Sequence, residues 1–345
     1  RMAAAPAWHI AETERPLNPW DACHALLDQG LGMAGGEVAL AEPDLEQGWL
    51  WTTPNRQAFG VAGCITEPSD GDVYAIGNTN LWHVDEAHSQ LEETRASVNA
   101  PNPTTSPRGV VRIAHLDTGY DDNHVTKPRF LNTNLARNFV DDDRPTDATD
   151  RPTAIISPML GHGTGTLSIL AGKDMDGVSF GGAGNLDIVP IRVANWVVLF
   201  RNSAIARAFD YVHSLCDAEE TRVHVVTMSM GGIASAAWAD AVNALYEKGV
   251  FVVTAAGNNF GNLPTRFIVY PARFNRVVAA CGVMADGRPY ADLPIRKMAG
   301  CYGPSAKDPT SIAAYTPNVP WAKFGCNTIV DMDGGGTSAA TPQVA

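Results

Sequence analysis

From residue 110 onward, short apolar runs alternate with amphipathic stretches, and this alternation limits the folds open to the chain. The periodicity predicts strands at 110–116, 187–193, 223–228, 249–255 and 277–283, and helices at 163–171, 203–215 and 236–248. Continuous apolar runs are typical of parallel strands that are buried on both faces. The sequence therefore predicts an α/β fold, with a mostly parallel central sheet and helices on both of its faces.

The first 50 residues are predicted to form a small α+β unit of their own. An amphipathic helix at 22–27 leads into a glycine-rich turn at 30–36 and a strand at 37–40. The turn has GxGxxG spacing, but a helix precedes it and a strand follows it. That order is the reverse of a dinucleotide-binding unit, so the turn is interpreted as a connector.

The remaining boundaries follow from composition. Residues 51–107 contain a Pro- and Gly-punctuated linker and a lead-in helix predicted at 84–98. The strand–helix alternation fills residues 108–345, which are expected to form the main domain.

Charge and hydropathy exclude several classes of partner. The formal net charge of −12 disfavours nucleic acid and anionic membranes, because phosphate binding needs clustered Lys and Arg. The sequence has no apolar run of the roughly 18 residues that a membrane span needs, and no apolar signal-peptide core near its start. The expected location is cytoplasmic, with secretion as the alternative if an export signal has been removed.

The chain has six cysteines, and their spacing excludes CxxC metal or redox motifs. They are interpreted mainly as buried thiols. The exceptions are expected among the three near the C-terminus, Cys281, Cys301 and Cys326.

Polar residues follow the predicted strands at the edge where functional groups of parallel sheets collect. Asp117 follows the strand 110–116, Ser229 ends 223–228, and Asn258 follows 249–255. Taken singly, such residues are usually turn or cap residues.

His162 and Ser338 lie at predicted helix starts, in Gly161-His162-Gly163-Thr164 and Gly336-Thr337-Ser338-Ala339. A serine hydroxyl becomes a nucleophile only beside a base that a third group orients, and a histidine and an aspartate can provide both. A glycine loop with an ordinary helix cap is the alternative for Ser338.

Five segments together resemble the subtilisin-like (S8) peptidase family, in the family's order. They are Ile113–Gly119, Gly161–Thr164, Met228–Gly232, Ala255–Asn258 and Gly336–Pro342. The resemblance implies a subtilisin-like serine endopeptidase that acts on protein or peptide substrates. It makes Ser338 the nucleophile, His162 its base and Asp117 the orienting carboxylate. Asn258 would donate to the oxyanion, and no metal or organic cofactor would be required.

The same resemblance places the substrate pocket. Ser229, Met230 and Gly231 would form one wall, Ala256 and Gly257 the opposite wall, and Val269 the base. The Met230 side chain is equally well explained as core packing. Tyr270-Pro271 matches a dipeptide that is cis in many relatives.

Calcium is a further possibility, because Asp121, Asp122 and Asn123, or Asp141–Asp143 with Asp147, offer oxygen ligands. A solvated acidic loop explains the same residues without a metal.

Two features depart from the family pattern. The N-terminal unit resembles only the second half of the family's inhibitory propeptide, through Ala41-Glu42-Pro43-Asp44 near its end, and a complete propeptide would need another strand and helix before it. Residues 1–50 are expected to pack on the catalytic domain of the same chain as a propeptide-like unit. The helix that starts at Ser338 stops at Ala345, so the catalytic domain is expected to be C-terminally incomplete. A catalytically inactive module that binds peptides or partners, and transpeptidation through the same acyl-enzyme, are the alternatives.

Overall fold

The computed structural model describes residues 8–14, 16–29, 38–48, 81–98, 111–151, 160–175, 179–197, 199–260, 266–291 and 298–345. The strands are β1 (Glu46–Gly48), β2 (Arg112–Asp117), β3 (Arg137–Asn138), β4 (Asp187–Arg192), β5 (Leu199–Arg201), β6 (Val225–Met228), β7 (Phe251–Ala255), β8 (Asn258–Phe260), β9 (Val278–Val283), β10 (Met298–Gly300), β11 (Ser311–Tyr315), β12 (Val319–Ala322) and β13 (Val330–Gly334). The helices are α1 (Pro19–Gln29), α2 (Leu91–Val98), α3 (His162–Ala171), α4 (Asn202–Leu215), α5 (Ala236–Glu247) and α6 (Gly336–Val344).

A seven-stranded sheet forms the centre, in the order β11-β9-β7-β6-β2-β4-β3. Each neighbouring pair is parallel. Apolar side chains from β2, β4, β6 and β7 pack on one face against α4 and α5, where Trp238 is fully buried. On the other face, Ile113 and Ile188 pack against Leu167 and Leu170 of α3. The predicted α/β fold with helices on both faces is confirmed.

Topology places the ends of several strands at one edge. Because the strands are parallel, β2, β4, β6 and β7 all present their carboxyl ends there. The two-stranded pair β8–β10 and the hairpin β12–β13 are antiparallel additions outside the sheet.

The lead-in helix predicted at 84–98 is wrong in its first half. A 3₁₀ turn covers Trp82–Val84, and the α-helix α2 begins only at Leu91. The Asp85 carboxylate accepts hydrogen bonds from the backbone N–H groups of Ala87 and His88, which stabilises a turn instead of a helix.

The strand predicted at 37–40 is also wrong where the structure describes it. Residues 38–40 form no strand, since a strand needs a pairing partner and Leu40 is exposed. The strand of this region is β1, which pairs antiparallel with β5. The glycine turn and the linker at 51–80 lie outside the described residues.

The cysteines divide between thiols and a disulfide. Cys23, Cys216, Cys281 and Cys301 are free thiols, so the expected exceptions at Cys281 and Cys301 are wrong. Cys326 is disulfide-bonded, and Cys64 lies outside the described residues. Within the described part of the chain, no helix has the length and apolar character needed to cross a membrane.

Candidate active site

Asp117 and His162 form a buried hydrogen-bonded pair. Asp117 is the last residue of β2 and its side chain is fully buried, while His162 is the first residue of α3. The Nδ1 atom of His162 lies 2.7 Å from Asp117 Oδ1, which also accepts the Thr118 backbone N–H at 2.7 Å. Burial acts to raise the pKa of Asp117, but His162 and these hydrogen bonds outweigh it and the pKa is lowered. Asp117 is therefore a carboxylate near neutral pH.

Glycine allows α3 to approach this strand end closely. A Cβ on Gly163 would lie 2.0 Å from Gly119 O, so only glycine fits beside Asp117. The Gly163 N–H donates to Thr118 Oγ1 at 3.1 Å. These contacts fix the first turn of α3, and with it the backbone of His162.

A buried ion pair stabilises the same loop junction. Arg192, at the carboxyl end of β4, donates from Nη1 to Asp150 Oδ1 at 3.0 Å, and both side chains are buried. Asp150 Oδ2 accepts the Thr118 hydroxyl at 2.9 Å and the Gly161 N–H at 2.7 Å. Burial raises the pKa of Asp150, while Arg192 and these hydrogen bonds oppose the rise. Through Asp150, the ion pair links the loop that follows β2 to the loop that precedes α3.

Ser338 lies in the first turn of α6, which packs beside α3 on the same face of the sheet. Its hydroxyl donates to Ser229 O at 3.2 Å, and the Ser229 hydroxyl donates to Ser338 O at 3.0 Å. Among the described residues, the buried Nε2 atom of His162 has no hydrogen-bond partner. The Asp117–His162 bond is formed in this structure and a His162–Ser338 bond is not.

Asn258 faces the loop that carries Ser338. Its Oδ1 atom accepts the Thr337 N–H at 3.0 Å. The Nδ2 group of the same amide therefore faces away from Thr337 N. Gly336 has a φ of +71°, which favours glycine, and a Cβ at this position would crowd Asn258 Nδ2 at 2.8 Å. The backbone N–H of Ser338 is in the first turn of α6, where such groups have no partner within the helix.

Val269 fills the space between the two predicted pocket walls. Cβ atoms built on Gly231 and Gly257 would lie 2.5 and 2.9 Å from its γ-methyl groups. The Val269 N–H donates to Ala256 O at 3.0 Å, which fixes the residue between the strand ends. The side chain of Met230 is buried in the core with α4 and α5, so the packing interpretation of that side chain is confirmed. Tyr270-Pro271 is cis, as predicted.

Three side chains next to Asp117 and His162 were not predicted from the sequence. The Trp321 ring packs edge-on against His162, at 5.6 Å between ring centroids. His115 and Thr166 lie on the buried side of Asp117, where the Thr166 hydroxyl is 3.1 Å from Asp117 Oδ2. The one available signal was His115 itself, a polar residue inside an apolar strand.

The carboxylates considered for calcium are largely engaged by protein donors. Asp141 contacts Arg144 and Arg192, and Asp147 accepts hydrogen bonds from Thr149. Asp121 accepts backbone N–H groups from Asn123 and Gly325. In the described ranges no three His, Cys, Asp or Glu side chains are grouped to hold a metal ion. In this structure the Asp121, Asp141 and Asp147 carboxylates are thus occupied by protein donors.

The predicted propeptide-like segment contacts the N-termini of α4 and α5. Glu42 accepts the Ser235 hydroxyl and the N–H groups of Ala236 and Ala237 at the start of α5. Asp44 accepts the N–H and the hydroxyl of Ser203 at the start of α4. Carboxylates are favourable at helix N-termini, where unpaired N–H groups converge. The next residues form β1, which pairs with β5 at the carboxyl-end edge.

Comparisons with known proteins find a matching family, similar sequences and a similar fold. The subtilase family profile matches residues 108–345. The major intracellular serine protease of Bacillus subtilis is 30% identical over 176 residues, which are 50% of this chain and 51% of that protein. The intracellular serine protease of Paenibacillus polymyxa is 27% identical over 252 residues, 72% of this chain and 68% of that protein.

Among solved structures, sphericase superposes with a TM-score of 0.50 at 22% identity, covering 69% of this chain and 75% of that one. This likeness concerns the fold alone. The chain spans about half to two-thirds of the length of these curated relatives.

Proposed function

Because the chain belongs to the subtilase family, we propose that it is a serine endopeptidase with Ser338 as nucleophile, His162 as general base and Asp117 as orienting carboxylate. The observation that carries the proposal is the buried 2.7 Å hydrogen bond between His162 and Asp117. It leaves Nε2 of His162 as the free basic nitrogen at the sheet edge where Ser338 lies.

In the first step the Ser338 hydroxyl turns from Ser229 O toward His162 Nε2. Its oxygen bonds to the substrate carbonyl carbon while its proton passes to His162. The C–N bond then breaks, the amine leaves with that proton, and the acyl group remains on Ser338. Water repeats the sequence and releases the acid. Asp117 keeps His162 in the tautomer whose Nε2 accepts the proton.

Negative charge on the carbonyl oxygen needs donors that are fixed beforehand. The Nδ2 group of Asn258 and the backbone N–H of Ser338 are proposed for this role. Support comes from the Thr337–Asn258 hydrogen bond, which orients the amide before substrate arrives.

The proposed substrates are proteins or peptides with small or medium-sized P1 side chains. Ser229, Gly231, Ala256 and Gly257 would line the pocket, and Val269 would close its base. The contacts of Val269 with both glycine positions support a shallow pocket.

Residues 38–48 are proposed to act as a cover on the catalytic domain of the same chain. Support comes from Glu42 and Asp44 at two helix N-termini and from the pairing of β1 with β5 of the main domain. A cytoplasmic location is proposed, in line with two relatives that are named as intracellular serine proteases.

The second candidate is an inactive subtilisin-fold module that binds peptides. It is favoured by the hydrogen bond of Ser338 to Ser229 O, which leaves His162 Nε2 without a partner among the described residues.

Hydrolysis of unfolded casein by wild type, Ser338→Ala and a control, Ser214→Ala, separates the two. Ser214 is exposed on α4 and bonds only locally, to Tyr211 O. If the protein is a peptidase, the wild type and Ser214→Ala cleave casein and Ser338→Ala does not. Binding without cleavage by all three proteins would support the module instead.

A further inference from the structure

A histidine and a threonine extend the Asp117–His162 pair into the protein interior. His115 lies on β2 two residues before Asp117, and Thr166 lies on α3 one turn after His162. Both side chains are almost completely buried. His115 Nε2 lies 2.9 Å from Thr166 Oγ1, and Thr166 Oγ1 lies 3.1 Å from Asp117 Oδ2.

The two oxygens of Asp117 therefore have separate partners. Oδ1 faces His162 and the Thr118 N–H, while Oδ2 faces the Thr166 hydroxyl. A fully buried carboxylate oxygen without a donor is costly, so Thr166 supplies a contact that Asp117 needs. The contact also prevents the carboxylate from rotating away from His162.

The number of available protons determines the direction of the hydrogen bonds between His115, Thr166 and Asp117. The Thr166 hydroxyl has one proton, and its acceptors within reach include Asp117 Oδ2 and Gly163 O, the latter at 3.2 Å. The carboxylate is the stronger acceptor because it is charged. When the Thr166 hydroxyl donates its proton to Asp117 Oδ2, the oxygen of Thr166 can only accept from His115, which must then carry a proton on Nε2.

Burial supports the neutral state of His115. It lowers the pKa of His115 to about 4, although Asp117 acts to raise it and His162 adds to the lowering. The ionisable groups around Asp117 also include the Arg192–Asp150 pair, which reaches it through Thr118. His115 thus donates a hydrogen bond near neutral pH without adding a charge beside Asp117.

We propose that Thr166 and His115 are positioning residues, which hold the Asp117 carboxylate in the orientation that allows it to bond to His162. The inference rests on the proposed peptidase function. It adds two buried residues whose hydrogen bonds influence His162. Neither residue contacts substrate, and their effect passes through Asp117.

Two substitutions of Thr166 separate hydrogen bonding from packing. Thr166→Val keeps the shape and removes the hydroxyl, while Thr166→Ser keeps the hydroxyl and removes a methyl group. The proposal predicts that Thr166→Val lowers kcat roughly tenfold or more with KM unchanged, and that Thr166→Ser stays within about twofold of wild type.

His115 has a matched pair as well. His115→Gln keeps an N–H near the position of Nε2, and His115→Met removes it. Gln is expected to retain more of the wild-type kcat than Met, because only Met leaves the Thr166 oxygen without its donor.

The proton on His162 Nδ1 gives a readout that does not depend on activity. Its NMR resonance is expected far downfield because of the short bond to Asp117. It should move in Thr166→Val, because Asp117 then gives more of its charge to His162, and should stay in place in Thr166→Ser. The acid limb of kcat/KM in Thr166→Val should move to higher pH for the same reason.

These results distinguish the two proposals. A wild-type protein that cleaves nothing would contradict the peptidase function, while the NMR comparison would still test the positioning role. Retained kcat and an unmoved resonance in Thr166→Val would overturn the positioning role. Equal losses in Val and Ser, or a larger loss in Ser, would assign Thr166 to packing and overturn it too.

Discussion

The indole of Trp321 lies edge-on against the imidazole of His162, with ring centroids 5.6 Å apart and an interplanar angle of 72°. The same indole fills the space above Gly165, where a Cβ would lie 1.8 Å from its ring. Trp321→Ala should cost about 3–5 kcal/mol of stability through the cavity it leaves. The substitution should also slow acylation, because the His162 ring loses the aromatic contact that helps to fix its orientation.

Trp321→Phe is the control, since it keeps an aromatic ring in this position. Thermal unfolding and the rate of fluorophosphonate labelling measure the two effects separately. Wild-type labelling rates in a destabilised Trp321→Ala protein would limit Trp321 to packing.

Val269 should determine the P1 preference. Removing its methyl groups in Val269→Gly opens the space between Gly231 and Gly257. Since a change of one methylene in a pocket is worth about 1–3 kcal/mol, the ratio of kcat/KM for Phe over Ala at P1 should rise roughly 10–100-fold. A peptide library that varies only P1 measures this ratio, with Val269→Ile as the control that narrows the pocket. Efficient cleavage after Phe by the wild type would contradict the shallow pocket.

Lys307 should make stability depend on pH. Its side chain is buried and donates to Phe274 O and Val277 O, and burial lowers its pKa to about 8. The unfolded value is about 10.5, so between these values the unfolded chain holds a proton that the folded protein has released. Stability should therefore rise with pH across this window, by at most about 3 kcal/mol.

Lys307→Met lacks this titration. The unfolding free energy of wild type relative to Lys307→Met should increase between about pH 7.5 and about pH 9.5. These two pH values bracket the pKa of Lys307 in the folded protein. Comparing the two proteins cancels most of the contribution from Cys281 and Cys301, whose pKa values burial raises to about 11. A constant difference would show that Lys307 keeps its charge throughout.

The N-terminal cover should remain attached to the catalytic domain. The residues that follow β1 in the sequence, Trp49-Leu50-Trp51, are poorly suited to the shallow pocket proposed for Val269. Intact-mass measurement after long incubation should give the full-length chain. A stable product without the first 45–80 residues, absent in Ser338→Ala, would identify a conventional propeptide.

Loosening the cover should increase access to the site. Glu42→Ala removes three hydrogen bonds at the start of α5, and Asp44→Ala removes two at the start of α4. The double variant should hydrolyse a short peptide faster than wild type, while Glu42→Gln, which keeps an acceptor oxygen, should change it less. Slower hydrolysis would show that the segment supports the active conformation.

The strands of the sheet interior were predictable because burial on both faces leaves an apolar run in the sequence. β2, β4, β6, β7 and β9 each lie within two residues of their predicted bounds. The edge strand β11 was not predicted, because Ser311–Tyr315 is partly exposed and rich in alanine. The lead-in helix failed for a local reason, the hydrogen bonds of Asp85, which periodicity does not register.

Candidate site residues were found where neighbours in sequence carry the pattern, as around His162 and Ser338. Thr166 and Trp321 were missed because their relation to Asp117 and His162 arises only when α3 packs on β2 and on β12. Residue spacing along one chain segment does not contain such contacts. The pairing of Arg192 with Asp150 was missed for the same reason.

Mapping the serine that a fluorophosphonate modifies tests the central claim most directly. The reagent phosphonylates a serine only where a base and oxyanion donors activate it. Tandem mass spectrometry of labelled wild type should place a single adduct on Ser338, and Ser338→Ala should carry none. An adduct on another serine, or equal labelling of Ser338→Ala, would contradict the assignment of Ser338 as the nucleophile.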